Sequence, residues 1–494
     1  MIELIERASA FRERTAIKSN FQTYTYNQLL KVSEHVGINL LNGKKDLNGD
    51  RIAFLVPPGF GHACIQWGIW RAGGIAVPLC EKHPLPSINY VIDDSEASTI
   101  VYSKEFETLL TPFFDMPEIH FVPSEEIGDQ QGSLPDIQME RSALILYTSG
   151  TSGSPKGVVT THNNIQNQIT TLTGSWAWSK NDHVLNVLPL HHVHGLINML
   201  GCALWSGACC EFLPEFSAKE VFEIFCKQEV NVFMAVPTIY FKLIACYNQL
   251  PASEQQNISK HLQTFRLMVS GSAALPVSIL EQWEQVSGHT LLERYGMTET
   301  GMAISNPYHG ERKPGYIGQP LPGVEIRLAG ENNVVIAEGL PGEIQIKGAN
   351  VFKEYWNKPK ETSHAFTSDG WFKSGDIAVF EDGSYKILGR SSVDIIKSGG
   401  YKISALEIEE ILRTHPKIND CSVVGIPDDE WGEVIGASLI LESNDFDIEQ
   451  LKEWLKERLP GYKIPRRYIV QDELPKNVMG KVTKNELKKI FIKG

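Results

Sequence analysis

Up to about residue 390, short β-branched runs alternate with stretches of helical period, and no other feature restricts the fold of this chain as strongly. RIAFLVP (51–57), STIVYS (98–103) and ALILYT (143–148) have the length and composition of strands. Between them, 59–72 and 163–174 carry apolar residues at helical spacing, the second with Ile165, Ile169 and Leu172 on one face. Such alternation predicts largely parallel sheets covered by helices, because a parallel pair needs a long crossover and a helix supplies it. Residues 52–79 have the hydropathy of a membrane span, but Pro57, Pro58, Arg71 and Gly73-Gly74 divide them into strand, helix and strand. Around 315–350, GVEIRL and GEIQIKG signal short strands and turns, hence a small β-rich subdomain.

A chain of 494 residues is too long for one hydrophobic core, and its texture changes again after Arg390. Ser404-Ala-Leu-Glu407 has the form of a capping box opening a helix with Ile408, Ile411 and Leu412 inward, stopped by Pro416. Asp447 opens a second helix whose Ile448, Leu451, Leu455 and Leu459 share a stripe, ending at Pro460-Gly461. The strand-like CSVVGI and ASLILE lie between them. The expected architecture is an α/β fold with a large N-terminal domain over residues 1–390, built of helix-covered, largely parallel sheets plus the β-rich subdomain. A small α+β domain occupies 391–494.

The formal net charge of -13 argues against nucleic acid as a partner, since phosphate backbones need clustered Lys and Arg. It leaves a small anionic substrate open, because local charge can oppose the global sign. The eight cysteines form no C-x-x-C pair, and no His/Cys cluster stands at metal spacing. Cys209 and Cys210 are neighbours, poorly placed for a disulfide. Reduced thiols in a cytoplasmic protein are the expectation, together with an N-terminus (MIELIERASAFRERTAI) whose charges leave no signal-peptide core.

The stretch LYTSGTSGSPKGVV (146–159) places a turn rich in glycine, serine and threonine after a strand, with Lys156 near its end. Backbone N–H groups, hydroxyls and a lysine in this arrangement suit an anion, above all phosphate. It is not a Walker P-loop: Lys156 is followed by Gly157, so no Ser or Thr stands where that motif holds Mg²⁺. On this stretch alone a polar hairpin turn remains the other reading.

Five further stretches occur in order: RYGMTET (294–300), GYIGQPLPG (315–323), GEIQIKG (342–348), DGWFKSGD (369–376) with GR (389–390), and KNVMGK (476–481). Together with the Thr/Ser/Gly loop they resemble the signature motifs of the adenylate-forming superfamily, which includes acyl-CoA synthetases, luciferases and adenylation domains. The resemblance covers nearly the whole chain. It implies an acid–thiol ligase using ATP, Mg²⁺ and CoA. A carboxylate attacks the α-phosphate of ATP, and a thiol then attacks the acyl-adenylate.

The resemblance also implies roles. Thr148, Ser149, Gly150, Thr151, Ser152, Gly153 and Lys156 would cradle the β- and γ-phosphates. Thr298 would bond phosphate, and Glu299 would hold Mg²⁺, with Thr151 a secondary ligand. Tyr295 would stack on adenine, with Glu293, Ser272 and Ala273 beside it. Asp376 would accept the ribose hydroxyls, supported by Arg390. Lys481 would bridge the attacking carboxylate and the α-phosphate. Lys397, Ser398, Gly399, Gly400 and Tyr401 would line the pantetheine tunnel once the mobile C-terminal domain turns about a hinge at Ser392 or Asp394.

Among His191, His192 and His194, His192 best matches a position between the acyl pocket and the thiol tunnel. Metal binding by the three is disfavoured, because no Glu or Cys stands at metal spacing beside them.

Arg294 bears on the acid. Many members of the superfamily have a small residue there, and an arginine would block a fatty-acyl tunnel while offering a fork for a second carboxylate. ERYGMTET, LPLHHVHG, VSGSAALP and VDIIKSGGYK together resemble malonyl-CoA synthetases. Malonate is the expected acid, with Ser272 and Lys242 as further candidates for its far carboxylate. The alternative for Arg294 is an ion pair with Glu293 or Glu299. Other functional readings are a ligase for another small or medium acid, an enzyme loading a carrier protein, and a nucleotide-binding regulatory protein of the same fold.

Overall fold

The structure is a computed structural model describing residues 2–148, 155–213, 215–399, 401–442, 446–476 and 482–493. Ser149, Gly150, Thr151, Ser152, Gly153, Gly400 and Lys481 therefore lie outside the described residues. Among those described, two large sheets carry the N-terminal part. One has seven strands, in the order Glu354–Tyr355, Lys156–Thr161, Ser142–Thr148, Ile75–Pro78, Arg51–Leu55, Thr99–Tyr102, His120–Pro123. The other has nine, with a parallel centre made by Thr15–Ser19, Cys209–Phe212, His183–Asn186, Val232–Ala235, Leu267–Ser270 and Leu292–Met297. Antiparallel strands close its edges.

The strand–helix–strand reading of 52–79 is met by Arg51–Leu55, helix Phe60–Arg71 and Ile75–Pro78. Residues His62 through Trp70 are all buried, which explains the membrane-like hydropathy of this segment: it sits between layers of protein. Helix His162–Ser175 is capped by Thr161, whose side chain accepts from the Asn164 N–H, and Ile165, Ile169 and Leu172 face the core. Among the described residues no helix is long and apolar enough to cross a membrane.

The β-rich part reaches further than 315–350. Val324–Ala329 and Gly342–Gly348 pair with Phe372–Glu381 and Ser384–Arg390 in one antiparallel sheet. Beyond Arg390, the strand readings CSVVGI and ASLILE become the long antiparallel pair Ile418–Asp428 and Gly432–Leu441. Helices Ala405–Arg413 and Ile448–Lys456 pack on it through Ile408, Leu412, Leu451 and Leu455. Ser404 caps the first helix through the Glu407 N–H, but the reciprocal half of the box is missing, because the Glu407 carboxylate pairs with Lys463 at 2.6 Å. All eight cysteines are free thiols.

Candidate active site

The hairpin of strands Ser142–Thr148 and Lys156–Thr161 sets Thr148 directly across from Lys156. Lys156 Nζ lies 4.8 Å from the centroid of the Tyr355 ring, a cation–π contact. The Tyr355 hydroxyl donates to Glu299 Oε1 at 2.8 Å. Tyr355 thus joins the lysine of the anion loop to the expected Mg²⁺ carboxylate, a role invisible in its local sequence. It reaches this place because Glu354–Tyr355 pairs with Lys156–Thr161 at the sheet edge. Burial pushes the Glu299 carboxyl up, while Tyr355, Arg390 and Lys156 pull it back.

Tyr295 stands on strand Leu292–Met297, and Thr298 and Glu299 in the turn between it and Gly301–Ser305, which the Thr300 N–H closes onto Met297 O at 3.1 Å. Gly301 is obligatory there: its φ is +58°, and a Cβ would stand 1.8 Å from Gln168 Oε1. The Tyr295 hydroxyl donates to Asp376 Oδ2 at 2.7 Å, and Arg390 Nε donates to Asp376 Oδ1 at 2.9 Å. Asp376 and Arg390 are cross-strand partners on consecutive antiparallel strands, so the two motifs meet by register. The structure therefore brings together Thr148, Lys156, Tyr295, Glu299, Asp376 and Arg390. Ala273 is exposed at the rim of this region.

Glu293 makes no ion pair with Arg294. Strand alternation turns its side chain away from Arg294, and its carboxylate accepts from the Gly315 N–H at 3.0 Å. Burial pushes this carboxyl up to about 8, with Glu410 of helix Ala405–Arg413 adding to the effect.

Arg294 is 4% exposed. It pairs with neither Glu293 nor Glu299, and no carboxylate forms an ion pair with it among the described residues. Nη2 donates to Ser272 Oγ at 3.1 Å, while Nε has no partner among those residues. Burial alone pulls its guanidinium down to about 9. Gly271 admits it: a Cβ there would lie 2.4 Å from Arg294 Cζ. Ser272 holds a left-handed backbone, φ +69°, and its Oγ meets His194 Nδ1 at 3.3 Å. His194 and Asn198 lie four residues apart on a π-helix spanning His194–Gly201, a rare form enriched at functional sites. Burial, then the Arg294 charge, keeps His194 neutral. His194 Nε2 and both amide atoms of Asn198 are buried without partners among the described residues. Lys242, by contrast, is exposed with its Nζ 5.6 Å from the Phe216 ring, so it is no part of this pocket.

His192 is half-buried against His191, with ring centroids 4.2 Å apart. Lys397, Ser398, Gly399 and Tyr401 are grouped within the C-terminal sheet rather than with the nucleotide residues. The Lys397 N–H donates to Glu433, the Gly399 N–H donates to Trp431 O, and Tyr401 stacks on Tyr462 at 4.6 Å. At the expected hinge, Asp394 is held from both sides. Its Oδ2 accepts from the Arg390 N–H at 3.0 Å, and its Oδ1 pairs with Lys484 at 2.6 Å. Ser392 is exposed in the intervening turn.

Comparison with known proteins agrees with this arrangement. The AMP-binding enzyme family model matches residues 4–356, and the model of the AMP-binding enzyme C-terminal domain matches 407–481. The mitochondrial malonate–CoA ligase of Xenopus laevis is 44% identical, over 99% of this chain and 91% of its own. A malonate–CoA ligase of Arabidopsis thaliana is 40% identical, over 98% and 87%. Among solved structures, ATP-bound MatB from Rhodopseudomonas palustris superposes with a TM-score of 0.90 at 30% identity, covering 99% of each chain.

Proposed function

The chain belongs to the AMP-binding enzyme family, and from that premise we propose that it is an ATP-dependent malonate–CoA ligase. One malonate carboxylate attacks the α-phosphate of ATP, forming malonyl-AMP and releasing pyrophosphate. The CoA thiol then attacks the acyl carbon, giving malonyl-CoA and AMP. Lys156 and Thr148, with the loop between them, take the pyrophosphate end; Lys481 bridges the reacting carboxylate and the α-phosphate. Asp376 and Arg390 take the ribose, and Tyr295 takes the adenine face. Glu299 fits Mg²⁺, because its buried carboxylate keeps Oε2 free of the Tyr355 bond; when bound, the ion offsets phosphate charge.

The observation that carries the acid assignment is the buried, carboxylate-free Arg294 guanidinium beside Ser272 and His194. A mono-acid would leave that charge dry and unpaired, whereas the far carboxylate of malonate supplies the missing partner. CoA-thioester formation with malonate, methylmalonate, acetate and octanoate, on wild type and Arg294→Gly in parallel, tests this. Malonate should dominate in wild type and be lost in the variant; comparable turnover of octanoate refutes it.

The division of labour we propose puts ATP and acid on residues 1–390 and lets 391–494 swing about the Ser391–Val393 turn, bringing Lys397 and Ser398–Tyr401 to the thiol. The separate sheet beyond Arg390 supports this. Free CoA is the acceptor. Eight free thiols suit a reducing compartment, which favours the cytoplasm, although the Xenopus relative is named mitochondrial.

A further inference from the structure

The fold assembles a thiol and two imidazoles that are scattered in the sequence. Cys80 follows strand Ile75–Pro78 of the seven-stranded sheet, and His83 lies three residues on, in a turn closed by its N–H on Cys80 O at 3.1 Å. His191, from the loop after strand His183–Asn186 of the other large sheet, packs on His83 with ring centroids 5.6 Å apart. One ligand atom from each of Cys80, His83 and His191 lies within 4.8 Å of the others. No Glu or Cys stands at metal spacing beside His191 in the sequence; Cys80 reaches it from another sheet.

We propose that Cys80, His83 and His191 form a binding site for a thiophilic divalent cation of the Zn²⁺ class, with one tetrahedral position left open. Zinc bonds of about 2.3 Å to sulfur and about 2.0 Å to nitrogen put neighbouring ligand atoms roughly 3.5 Å apart, so the three side chains need close in by only about 1 Å. A Cys-x-x-His turn plus one distant histidine is a soft, nitrogen–sulfur donor set that selects zinc over magnesium. Cys80 is 8% exposed. The backbone N–H groups of Lys82 and His83 point at the Cys80 sulfur.

A second cluster, His183, Glu211 and Glu229, is geometrically similar. There Lys18 already pairs with Glu229, so that carboxylate's charge is met within the protein, and His183 Nε2 lies 2.8 Å from Glu211 Oε2. The Cys80 cluster has no such internal partner among the described residues.

The test is titration of the full-length, chelator-stripped chain with Co²⁺ as a spectroscopic substitute and then with Zn²⁺, in the absence of substrates. One equivalent should bind with a thiolate-to-cobalt charge-transfer band, displaced by Zn²⁺. Cys80→Ser should abolish the band, and His191→Gln and His83→Gln should each weaken binding at least tenfold. Glu211→Gln should leave the equivalent intact. ATP–pyrophosphate exchange by each variant reports that it is folded. Absence of the band in wild type, or its survival in Cys80→Ser, overturns the site; neither result touches the ligase reading, which the substrate panel tests separately.

Discussion

Replacing Arg294 by methionine should make the protein more stable while removing its use of malonate. The guanidinium is buried, has no carboxylate partner among the described residues, and is pulled from the free guanidinium's value down to about 9. Those roughly 3.5 tenfold steps, at ~1.36 kcal/mol each, amount to on the order of 5 kcal/mol against the charged form. Because the folded value lies below the unfolded one, the cost is fully present below about pH 9 and is relieved only as pH climbs from there toward the free guanidinium's value. Methionine removes it, giving back roughly 1 kcal/mol for the lost bond to Ser272 and about 1–2 kcal/mol for imperfect filling. A net gain of about 2–3 kcal/mol remains, readable as a higher urea midpoint near pH 7. Malonate at a hundred times its Kd should add about 2.7 kcal/mol to wild type and nothing to the variant. A variant less stable than wild type, or one that malonate still protects, refutes the reasoning.

Glu293→Gln should flatten the pH dependence of unfolding. Burial raises the folded-state carboxyl to about 8 from 4.5, so wild type should lose stability as pH rises between those values, and urea midpoints across that range should show a shallower slope in the variant, the remainder coming from the raised carboxyls of Glu299 and Glu410. Tyr355→Phe removes a hydrogen bond that favours ionised Glu299 while keeping the ring under Lys156, so the acid limb of the pH profile for ATP–pyrophosphate exchange should move to higher pH by up to about one unit. Lys484→Met leaves Asp394 and Glu409 facing each other without their shared cation and should cost about 3–5 kcal/mol, measured as early urea unfolding of the C-terminal sheet.

Local rules determined a good deal of this protein. Strand–helix alternation sufficed for the parallel sheets, because each element must bury one face and its period says which. The buried helix Phe60–Arg71 followed from length and breakers, and Ser404 and Asp447 marked helix starts because a cap satisfies N–H groups within three residues of itself. Lys156 was named from a short stretch, since a loop that grips phosphate needs its donors close together, whereas Tyr295, Glu299, Asp376 and Arg390 were named only through the resemblance of their motifs to the adenylate-forming superfamily. Only the tertiary structure decided what those residues face. Arg294 could have paired with either adjacent acid, and strand alternation together with the Cβ-free gap at Gly271 sends it to Ser272 and His194 instead. Tyr355 joins Lys156 to Glu299, and Cys80 meets His191, across separations of more than fifty residues. Such contacts depend on which sheets pack together, and no local pattern carries that information.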